Sequence, residues 1–309
     1  MRTHNGFALV IVLVVIALLT GVTVLFINEV YLEAGSNRHA VDSAQGSLFA
    51  EGGVKGALEL LNYSLGSKPY NSLNDPWAKP IVLDEERGLL RIAITDESSK
   101  LNLNMVALPN GTPNEAYDGM ARRLLQQQKL SADLVDALAD WIDQGDTPNP
   151  GGAEAEWYLA QKQPYRPRNG YLLTLEELAK IKGFAGEPLE KLRPFITVYS
   201  DAPAGAPAAP VNINTAPREV LAVLDERMSL SLADRIIEHR KTTPFSNPAD
   251  LIQVAGMQSI APSLLTNIST KGTVYRIAAE ATVNGTIRTI EAVARLGIGK
   301  PVILYWREY

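Results

Sequence analysis

The chain has 309 residues, of which 46% are hydrophobic and 20% are charged, with a formal net charge of −5. These values lie near the globular average, so they exclude a wholly disordered, collagen-like or multi-span membrane protein. The acidic balance argues against general affinity for nucleic-acid phosphates. The sequence contains no cysteine, which excludes thiol catalysis, disulfide bonds and cysteine-ligated metal sites.

An apolar run near the N-terminus reads FALVIVLVVIALLTGVTVLFI from Phe7 to Ile27, without an ionisable side chain. At ~1.5 Å per residue, about 21 helical residues cover the ~30 Å hydrocarbon core of a bilayer. We therefore predict a transmembrane helix over residues 7–28. A cleaved secretory signal peptide and a plain membrane anchor are the alternatives, but this run exceeds the ~7–15 apolar residues typical of signal peptides.

The charges on either side of this run predict its orientation. Arg2 precedes the run, and the acids Glu29, Glu33 and Asp42 follow it. Positive charge favours the cytoplasmic side of a membrane helix. We therefore expect a cytoplasmic N-terminus and an exported C-terminal body.

The helical pattern continues beyond the predicted membrane span. Apolar residues recur at helical spacing from Asn28 to about Leu65, which predicts a helix that packs on a sheet. Each glycine inside a helix costs ~1 kcal/mol relative to alanine, so the glycines of this segment predict a bend or a break. They are Gly35, Gly46, Gly52 and Gly53.

Strand signals lie on both sides of a long helical region that extends from about Lys100 to Lys271. They are Ile81–Asp84, Leu89–Thr95, Val274–Val283, Thr286–Leu296 and Val302–Trp306. Asn284–Gly285 separates the third and fourth signals, and this pair favours the positive φ angles of a two-residue hairpin turn. The order predicts an α+β fold in which an α-helical domain is inserted into a small sheet domain.

The helical region contains an imperfect internal repeat, with copies at about 101–200 and 211–271. Each copy opens on an N-x-N motif, continues into a middle helix and closes with a short helix that ends at a glycine. The Ala- and Pro-rich stretch 201–210 is predicted to be the linker between the copies.

The second copy looks like a helix-hairpin-helix module, which leaves a membrane-anchored DNA-binding protein as an alternative function. That chemistry needs a glycine-rich hairpin whose amides face a phosphate. The hairpin at 225–231 reads DERMSLS, with two acids and no glycine, so a packing module is the default interpretation. We predict that four positive residues of the following helix form a solvated face. They are Arg235, His239, Arg240 and Lys241.

An acidic loop follows the middle helix of the first copy. Its carboxylates are Asp143, Asp146 and Glu154, with Asp140 one helical turn earlier. A hard cation such as calcium takes ~6–8 oxygen ligands at ~2.3–2.6 Å, and it would hold together carboxylates that otherwise repel each other. The spacing is not that of an EF-hand. A solvated acidic loop with aspartate caps is the alternative.

Catalytic chemistry has little support in the sequence. The three histidines, His4, His39 and His239, are scattered, and no nucleophile-elbow, P-loop or H-E-x-x-H motif occurs. Paired acids leave a membrane-tethered hydrolase as a second alternative, because two carboxylates can serve as acid and base. We predict that the protein is not an enzyme and has no catalytic residue.

Several segments carry a family resemblance. A short leader, MRTHNG, ends at Gly6 before Phe7 and the apolar helix, which resembles the leader of type IV pilins and type II secretion pseudopilins. Ile11 stands at the fifth mature position, where most members of that family carry glutamate. The segments SKLNLN, LADWID, DTPNPGGAE, TLEELAKIKGF and VNINTAP are similar to the K-type minor pseudopilin (GspK) family, and the resemblance covers essentially the full chain.

This resemblance implies a fold and its boundaries. The fold is an N-terminal transmembrane helix continuing into a pilin-like α/β-sheet domain, with a large inserted α-helical domain that contains two helix-hairpin-helix or SAM-like repeats. The implied boundaries are 1–6 for the prepilin leader, 7–28 for the transmembrane helix, 29–100 for the pilin-like helix and first strands, 101–271 for the inserted domain and 272–309 for the last strands.

The resemblance also implies a function and partners. Prepilin peptidase would cut after Gly6 and methylate Phe7. A subunit with Ile11 in place of glutamate suits the tip of a filament, because it cannot pair with a subunit ahead of it. The chain would be a non-enzymatic minor pseudopilin of the inner membrane with a periplasmic body. Its partners would be the I- and J-type minor pseudopilins, with the H-type as a further candidate.

Calcium is the cofactor that the resemblance implies. Members of the family can bind calcium, and Asp143, Asp146 and Glu154 of this chain match the family's acidic loop. Asp140 is a further candidate ligand, and the alternative is that its side chain has a role facing its own helix.

Overall fold

A long helix opens the computed structural model, which describes residues 5–66, 68–86, 88–203, 205–297 and 299–309. Residues 1–4 of the predicted leader, among them Arg2 and His4, lie outside the described residues, as does residue 204 of the predicted linker. The helices are α1 (Asn5–Gly66), α2 (Glu115–Gln127), α3 (Asp133–Ile142), α4 (Ala155–Leu159), α5 (Glu187–Leu192), α6 (Arg218–Val223), α7 (Leu230–Thr242) and α8 (Ala261–Leu264). The strands are β1 (Ile81–Glu85), β2 (Gly88–Asp96), β3 (Leu101–Asn102), β4 (Ile196–Thr197), β5 (Val211–Asn212), β6 (Ile268–Ser269), β7 (Val274–Val283), β8 (Thr286–Arg295) and β9 (Val302–Glu308).

Helix α1 combines a membrane span with a helix that packs on the sheet. Its segment Phe7–Tyr31 has a mean hydropathy of 3.2, is not buried, and is long and apolar enough to cross a membrane. The helix continues through all four glycines, so the predicted break does not occur. A Cβ on Gly46 would lie 3.1 Å from Arg288 Cγ, and one on Gly53 would lie 3.1 Å from Leu90 Cδ1. These two glycines therefore let the helix approach the sheet closely.

The main sheet is antiparallel and has the strand order β1-β2-β7-β8-β9. Strands β2 and β7 pair directly, although a long helical region separates them in sequence. Asn284 and Gly285 have φ angles of 48° and 84° and close the β7–β8 hairpin, as the Asn-Gly pair predicts. Strand β9 lies at one edge of the sheet and continues to Glu308, two residues beyond the predicted end.

One hydrophobic core lies between α1 and the sheet. Val54 and Leu61 of α1 pack there with Ile277 of β7, and alternate residues of β7 are buried because one face of the sheet is covered. The Trp77 ring meets the Tyr275 ring edge-on at a centroid distance of 5.2 Å. This packing fixes the C-terminal half of α1 on the sheet.

The chain leaves the sheet at Asp96 and returns to it at Val274, with helices α2 to α8 between these points. A second hydrophobic core fills this helical region. Two short parallel strand pairs also lie here, β3 with β4 and β5 with β6. Strands of two residues carry no periodicity, so the sequence pattern does not predict them.

The two N-x-N motifs make matching hydrogen bonds. The backbone N–H of Asn104 donates to Asn102 Oδ1 at 2.9 Å, and that of Asn214 donates to Asn212 Oδ1 at 3.0 Å. The side-chain amides of Asn104 and Asn214 each donate to two carbonyl groups that are distant in sequence. Each motif therefore ties the start of its segment to later parts of that segment.

A buried ion-pair network stands where the chain leaves the sheet. Glu97 is fully buried and accepts hydrogen bonds from Lys100 Nζ at 2.7 Å and from Arg276 Nε at 2.8 Å. Burial acts to raise the pKa of Glu97, but these two cations hold it below its ordinary value. Glu97 is therefore an ionised group that joins the sheet to the helical region.

The neighbouring Asp96 joins the same two regions through neutral donors. Its carboxylate accepts hydrogen bonds from Asn212 Nδ2 at 2.9 Å, Thr215 Oγ1 at 2.7 Å and the backbone N–H of Ser98 at 2.8 Å. Burial outweighs these bonds and raises the pKa of Asp96 to about 6.

The raised pKa of Asp96 predicts that the free energy of unfolding falls as the pH rises. Between its ordinary pKa of 3.8 and the folded value of about 6, the folded protein keeps a proton that the unfolded chain has lost. A shift of about two pKa units corresponds to about 3 kcal/mol in the free energy of unfolding. Urea unfolding of the full chain in detergent, compared between about pH 4.5 and pH 7.5, covers about 1.4 of these two pKa units. It should therefore show a loss of about 2 kcal/mol in the wild type and not in Asp96→Asn.

Other carboxylates titrate in the same experiment, so the measured quantity is the difference in pH dependence between the two proteins. Asp84 is exposed on β1, and Asp84→Asn is the matched control that should keep the wild-type pH dependence. The same pH dependence in the wild type and in Asp96→Asn would contradict the prediction.

Candidate metal site

Three carboxylates of the acidic loop lie together between helices α3 and α4. Asp140 lies on the last turn of α3, Asp143 caps the end of that helix, and Glu154 directly precedes α4. One ligand oxygen from each lies within 4.8 Å of the others, and all three residues are buried. Asp146 is exposed and lies outside this group. The structure therefore brings together three of the four predicted residues.

The loop between α3 and α4 folds back onto α3. The backbone N–H and the Nδ2 group of Asn149 donate to Asp140 Oδ1 at 3.1 and 2.6 Å, and the backbone N–H of Gly151 donates to Asp136 Oδ2 at 3.1 Å. Asp136 and Asp140 are four residues apart, so they share one face of the helix. Gly152 fits closely, because a Cβ there would lie 1.8 Å from Asp140 Oδ2.

The three carboxylates differ in how far their oxygens are hydrogen-bonded. Asp140 accepts the bonds from Asn149, and Asp143 Oδ1 accepts one from the backbone N–H of Gly145 at 2.6 Å. Both oxygens of Glu154 are buried and have no hydrogen-bond partner among the described residues. A buried carboxylate without a partner is costly, so Glu154 points to a cation as its partner.

The electrostatics of the loop point the same way. Burial, followed by the charges of Asp140, Asp143 and Asp146, raises the pKa of Glu154 to about 7. Burial also raises the pKa of Asp140, although the hydrogen bonds from Asn149 lower it. A cation would remove the repulsion between these groups and release the proton that Glu154 otherwise holds near neutral pH.

The donor set fits a hard divalent cation. The group contains only carboxylates, which calcium prefers to nitrogen or sulfur ligands. Oxygens at ~2.3–2.6 Å from one calcium ion lie at most about 5 Å apart, and the separation of up to 4.8 Å agrees with this limit. Calcium takes ~6–8 oxygens, so carbonyl groups or water would complete its coordination.

An aromatic cluster beside the loop is a feature that sequence analysis missed. The Tyr158 ring meets Trp141 at 5.3 Å, Trp157 at 4.9 Å and Tyr165 at 5.4 Å between ring centroids. The four rings lie within 25 residues of sequence, and that local enrichment was the available signal. The cluster connects α3, which carries Asp140, to α4, which follows Glu154, and so supports the position of both carboxylates.

The four positive residues of α7 do not share one solvated face. Arg235 and Lys241 are exposed, whereas His239 is half-buried. Arg240 is buried and donates to the carbonyl oxygen of Ile213 at 2.6 Å, so its predicted place on a solvated face is wrong. The His239 ring stacks on Phe245 at 4.9 Å. At the start of α7, Ser229 Oγ accepts a hydrogen bond from the backbone of Leu232 at 3.2 Å, so the chain itself caps the helix end that would face a phosphate.

The predicted processing residues lie at the start of α1. Gly6 belongs to the helix, and Phe7 begins the segment that is long and apolar enough to cross a membrane. Ile11 lies about one turn further, and its side chain is exposed like that of Phe7. Cleavage after Gly6, methylation of Phe7 and the role of Ile11 stay predictions.

Comparisons with known proteins identify the relatives of this chain. Two family models match it, both described as type II secretion system (T2SS), protein K, at residues 99–201 and 211–271, and together they cover more than half of the chain. The type II secretion system protein K of Pseudomonas aeruginosa is 29% identical over 262 residues, which are 81% of this chain and 76% of the relative. The protein of the same name from Klebsiella pneumoniae is 25% identical over 273 residues, 82% of this chain and 81% of the relative.

A solved structure shares the fold. It is the crystal structure of the GspK-GspI-GspJ complex from the type 2 secretion system of enterotoxigenic Escherichia coli. One of its chains matches with a TM-score of 0.73 at 20% identity, over 89% of this chain and 99% of that chain. At this level of identity the likeness establishes the mixed helix-and-sheet fold.

The fold and the apolar helix together define a membrane-anchored protein with a mixed helix-and-sheet body. The chain belongs to the type II secretion system protein K family, the GspK-type minor pseudopilins. It is a structural component of that secretion system and not an enzyme, which confirms the predicted family and functional class. The DNA-binding and hydrolase alternatives are not favoured.

Proposed function

We propose that the protein caps the tip of the type II secretion pseudopilus, helps to initiate its assembly and so supports protein export across the outer membrane. The observation that carries this proposal is Ile11 in the membrane span of α1. A glutamate there would be costly unless paired, and related pseudopilins pair it with the terminal amine of a neighbouring subunit. Isoleucine makes no such bond to a subunit ahead, which suits the end of a filament.

We also propose that the region between β2 and β7 is one α-domain inserted into a pilin-like sheet domain. The direct pairing of β2 with β7 supports an insertion, because the sheet is complete without the intervening residues. The matching bonds of the two N-x-N motifs, and one parallel strand pair in each half, support two copies at about 101–200 and 211–271. A body of this size would obstruct repetition along a filament, so it too favours a terminal position.

The proposed boundaries follow from these features. They are 1–6 for the leader, 7–28 for the membrane span, 29–100 for the pilin-like helix and first strands, 101–271 for the inserted domain and 272–309 for the last strands. We place the N-terminus in the cytoplasm and the body in the periplasm. Prepilin peptidase would cut after Gly6 and methylate Phe7, because the glycine directly precedes the apolar span.

Calcium is the proposed structural cofactor, with Asp140, Asp143 and Glu154 as ligands. The support is their mutual distance, their burial and the unpartnered oxygens of Glu154. A cation there would tie the loop to α3 and to the start of α4. Asp146 raises the pKa of Glu154, so it lies near enough to attract the cation from outside the group.

The proposed partners are the I- and J-type minor pseudopilins. The solved relative is a complex of GspK with GspI and GspJ, and we infer the same association here. The H-type protein remains a further candidate.

Pseudopili assembled with an epitope-tagged full chain test this proposal. Electron microscopy with a gold-labelled antibody should place the label at one end of each filament. Mass spectrometry of the same material should find a mature chain that starts at methylated Phe7, together with I- and J-type subunits. Label along the whole filament would contradict a tip position, and a chain that starts at Met1 or after Gly21 would contradict peptidase processing.

A further inference from the structure

Lys182 reaches the metal-site loop from a distant part of the sequence. Its Nζ group donates to the carbonyl oxygen of Gly152 at 2.8 Å and to that of Gly151 at 3.3 Å. The loop is already bonded to α3 through Asp136 and Asp140. Two separate segments therefore hold these glycines. Lys182 binds their carbonyl groups, and Asp136 of α3 binds the N–H of Gly151.

Lys182 also contacts the helix that follows the loop. Its backbone N–H donates to the Tyr158 hydroxyl at 3.4 Å, and its Nζ lies 5.9 Å from the centroid of the Trp157 ring. Glu154 stands between the glycines and these aromatic residues in sequence. Lys182 thus contacts the chain on both sides of the carboxylate whose oxygens have no partner.

We propose that Lys182 is a positioning residue for the metal site. It holds the backbone of the residues just before Glu154 and so fixes the orientation of that carboxylate. This inference rests on the proposed calcium site. Lys182 binds backbone carbonyl groups and is no metal ligand, because an ammonium group has only donors. Outer contacts of this kind hold ligands in place, and their loss typically costs about 10–100-fold in metal affinity.

Charge alone predicts the opposite effect of removing Lys182. A lysine ammonium near the loop repels an incoming cation, so loss of that charge would strengthen metal binding if Lys182 acted only through its field. Positioning predicts weaker binding, because the loop between Asn149 and Glu154 loses one of its two supports. The sign of the change therefore separates the two mechanisms.

The test measures binding of terbium(III) and calcium to the full chain in detergent. Trp141 and Trp157 lie beside the site, so their excitation should sensitise terbium luminescence, and calcium should displace it. We expect Lys182→Met to weaken calcium binding about tenfold, and Lys182→Arg, which keeps donors for the carbonyl groups, to restore most of it. Lys180→Met is the matched control, because Lys180 is exposed and carries the same charge.

Hydrogen exchange provides a readout that does not depend on the metal. In Lys182→Met, amides of residues 149–154 should exchange faster, whereas the β7–β8 hairpin should keep its wild-type protection and so show that the protein is folded. Unchanged or tighter calcium binding in Lys182→Met, with a wild-type chain that binds calcium, would overturn the positioning role alone. A wild-type chain that binds neither ion would overturn the metal site and this inference together.

Discussion

Chelation of calcium should lower the midpoint of thermal unfolding of the full chain by roughly 4 °C. A ligand present at 100 times its dissociation constant stabilises the folded state by about 2.7 kcal/mol. The entropy of unfolding is about 2.1 cal/mol/K per residue, so about 1 kcal/mol moves the midpoint of a chain of 309 residues by roughly 1.5 °C. The Glu154→Gln variant should show no calcium-dependent shift, because it removes the charge of the carboxylate whose oxygens have no other partner. Differential scanning calorimetry with and without a chelator measures both.

The matched control is Asp146→Asn. Asp146 lies outside the group of three, so its loss should weaken calcium binding only a few-fold through charge and leave most of the thermal shift in place. Because the pKa of Glu154 is about 7 without the cation, calcium affinity should also fall about tenfold between well above pH 7 and pH 6. Equal midpoints with and without chelator in the wild type would argue against a structural calcium ion.

Much of the fold could be predicted from local patterns. Alternation of apolar residues indicates the strands of the main sheet, and Asn284–Gly285 indicates their hairpin, because these signals depend on neighbours in sequence. The strand pairs β3–β4 and β5–β6 could not be predicted, since two residues define no period. The four glycines of α1 led to the wrong prediction of a helix break for a related reason. The free-energy cost of glycine in a helix can be read from local sequence, whereas the close contact of Gly46 and Gly53 with the sheet depends on the tertiary structure.

The candidate site shows the same division between local and tertiary information. Composition and spacing indicated an acidic loop, and they named Asp140, Asp143 and Glu154 among its carboxylates. The exclusion of Asp146 from the buried group depends on how the loop folds back onto α3, which no spacing rule contains. Arg240 is a similar case, because its position among basic residues suggested a solvated face, whereas it is bonded to Ile213 in the interior.

Because the loop folds back onto α3, an added methyl group at Gly152 should destabilise the loop more than at its other positions. A Cβ at this residue would lie 1.8 Å from Asp140 Oδ2 and 2.7 Å from Asp140 Cγ. Asp140 has little room to move, because Asn149 holds its carboxylate. We expect Gly152→Ala to lower the free energy of unfolding by about 1–3 kcal/mol, as overpacking does, and to weaken calcium binding at least tenfold. Urea unfolding and the terbium assay measure the two effects.

A double-mutant cycle of Gly152→Ala with Asp140→Ala tests whether contact with Asp140 causes the loss of stability. In the Asp140→Ala background the two atoms nearest to the added methyl group are gone, and the next nearest atom is the Asp136 carbonyl oxygen at 3.1 Å. Gly152→Ala should therefore cost much less there than in the wild type, with a coupling of about 1 kcal/mol or more. Gly170→Ala is the control for the loss of glycine itself, since its Cβ would meet nothing nearer than Arg168 Cγ at 3.8 Å. Additive effects of Gly152→Ala and Asp140→Ala would mean that the loop does not pack against α3 in this way.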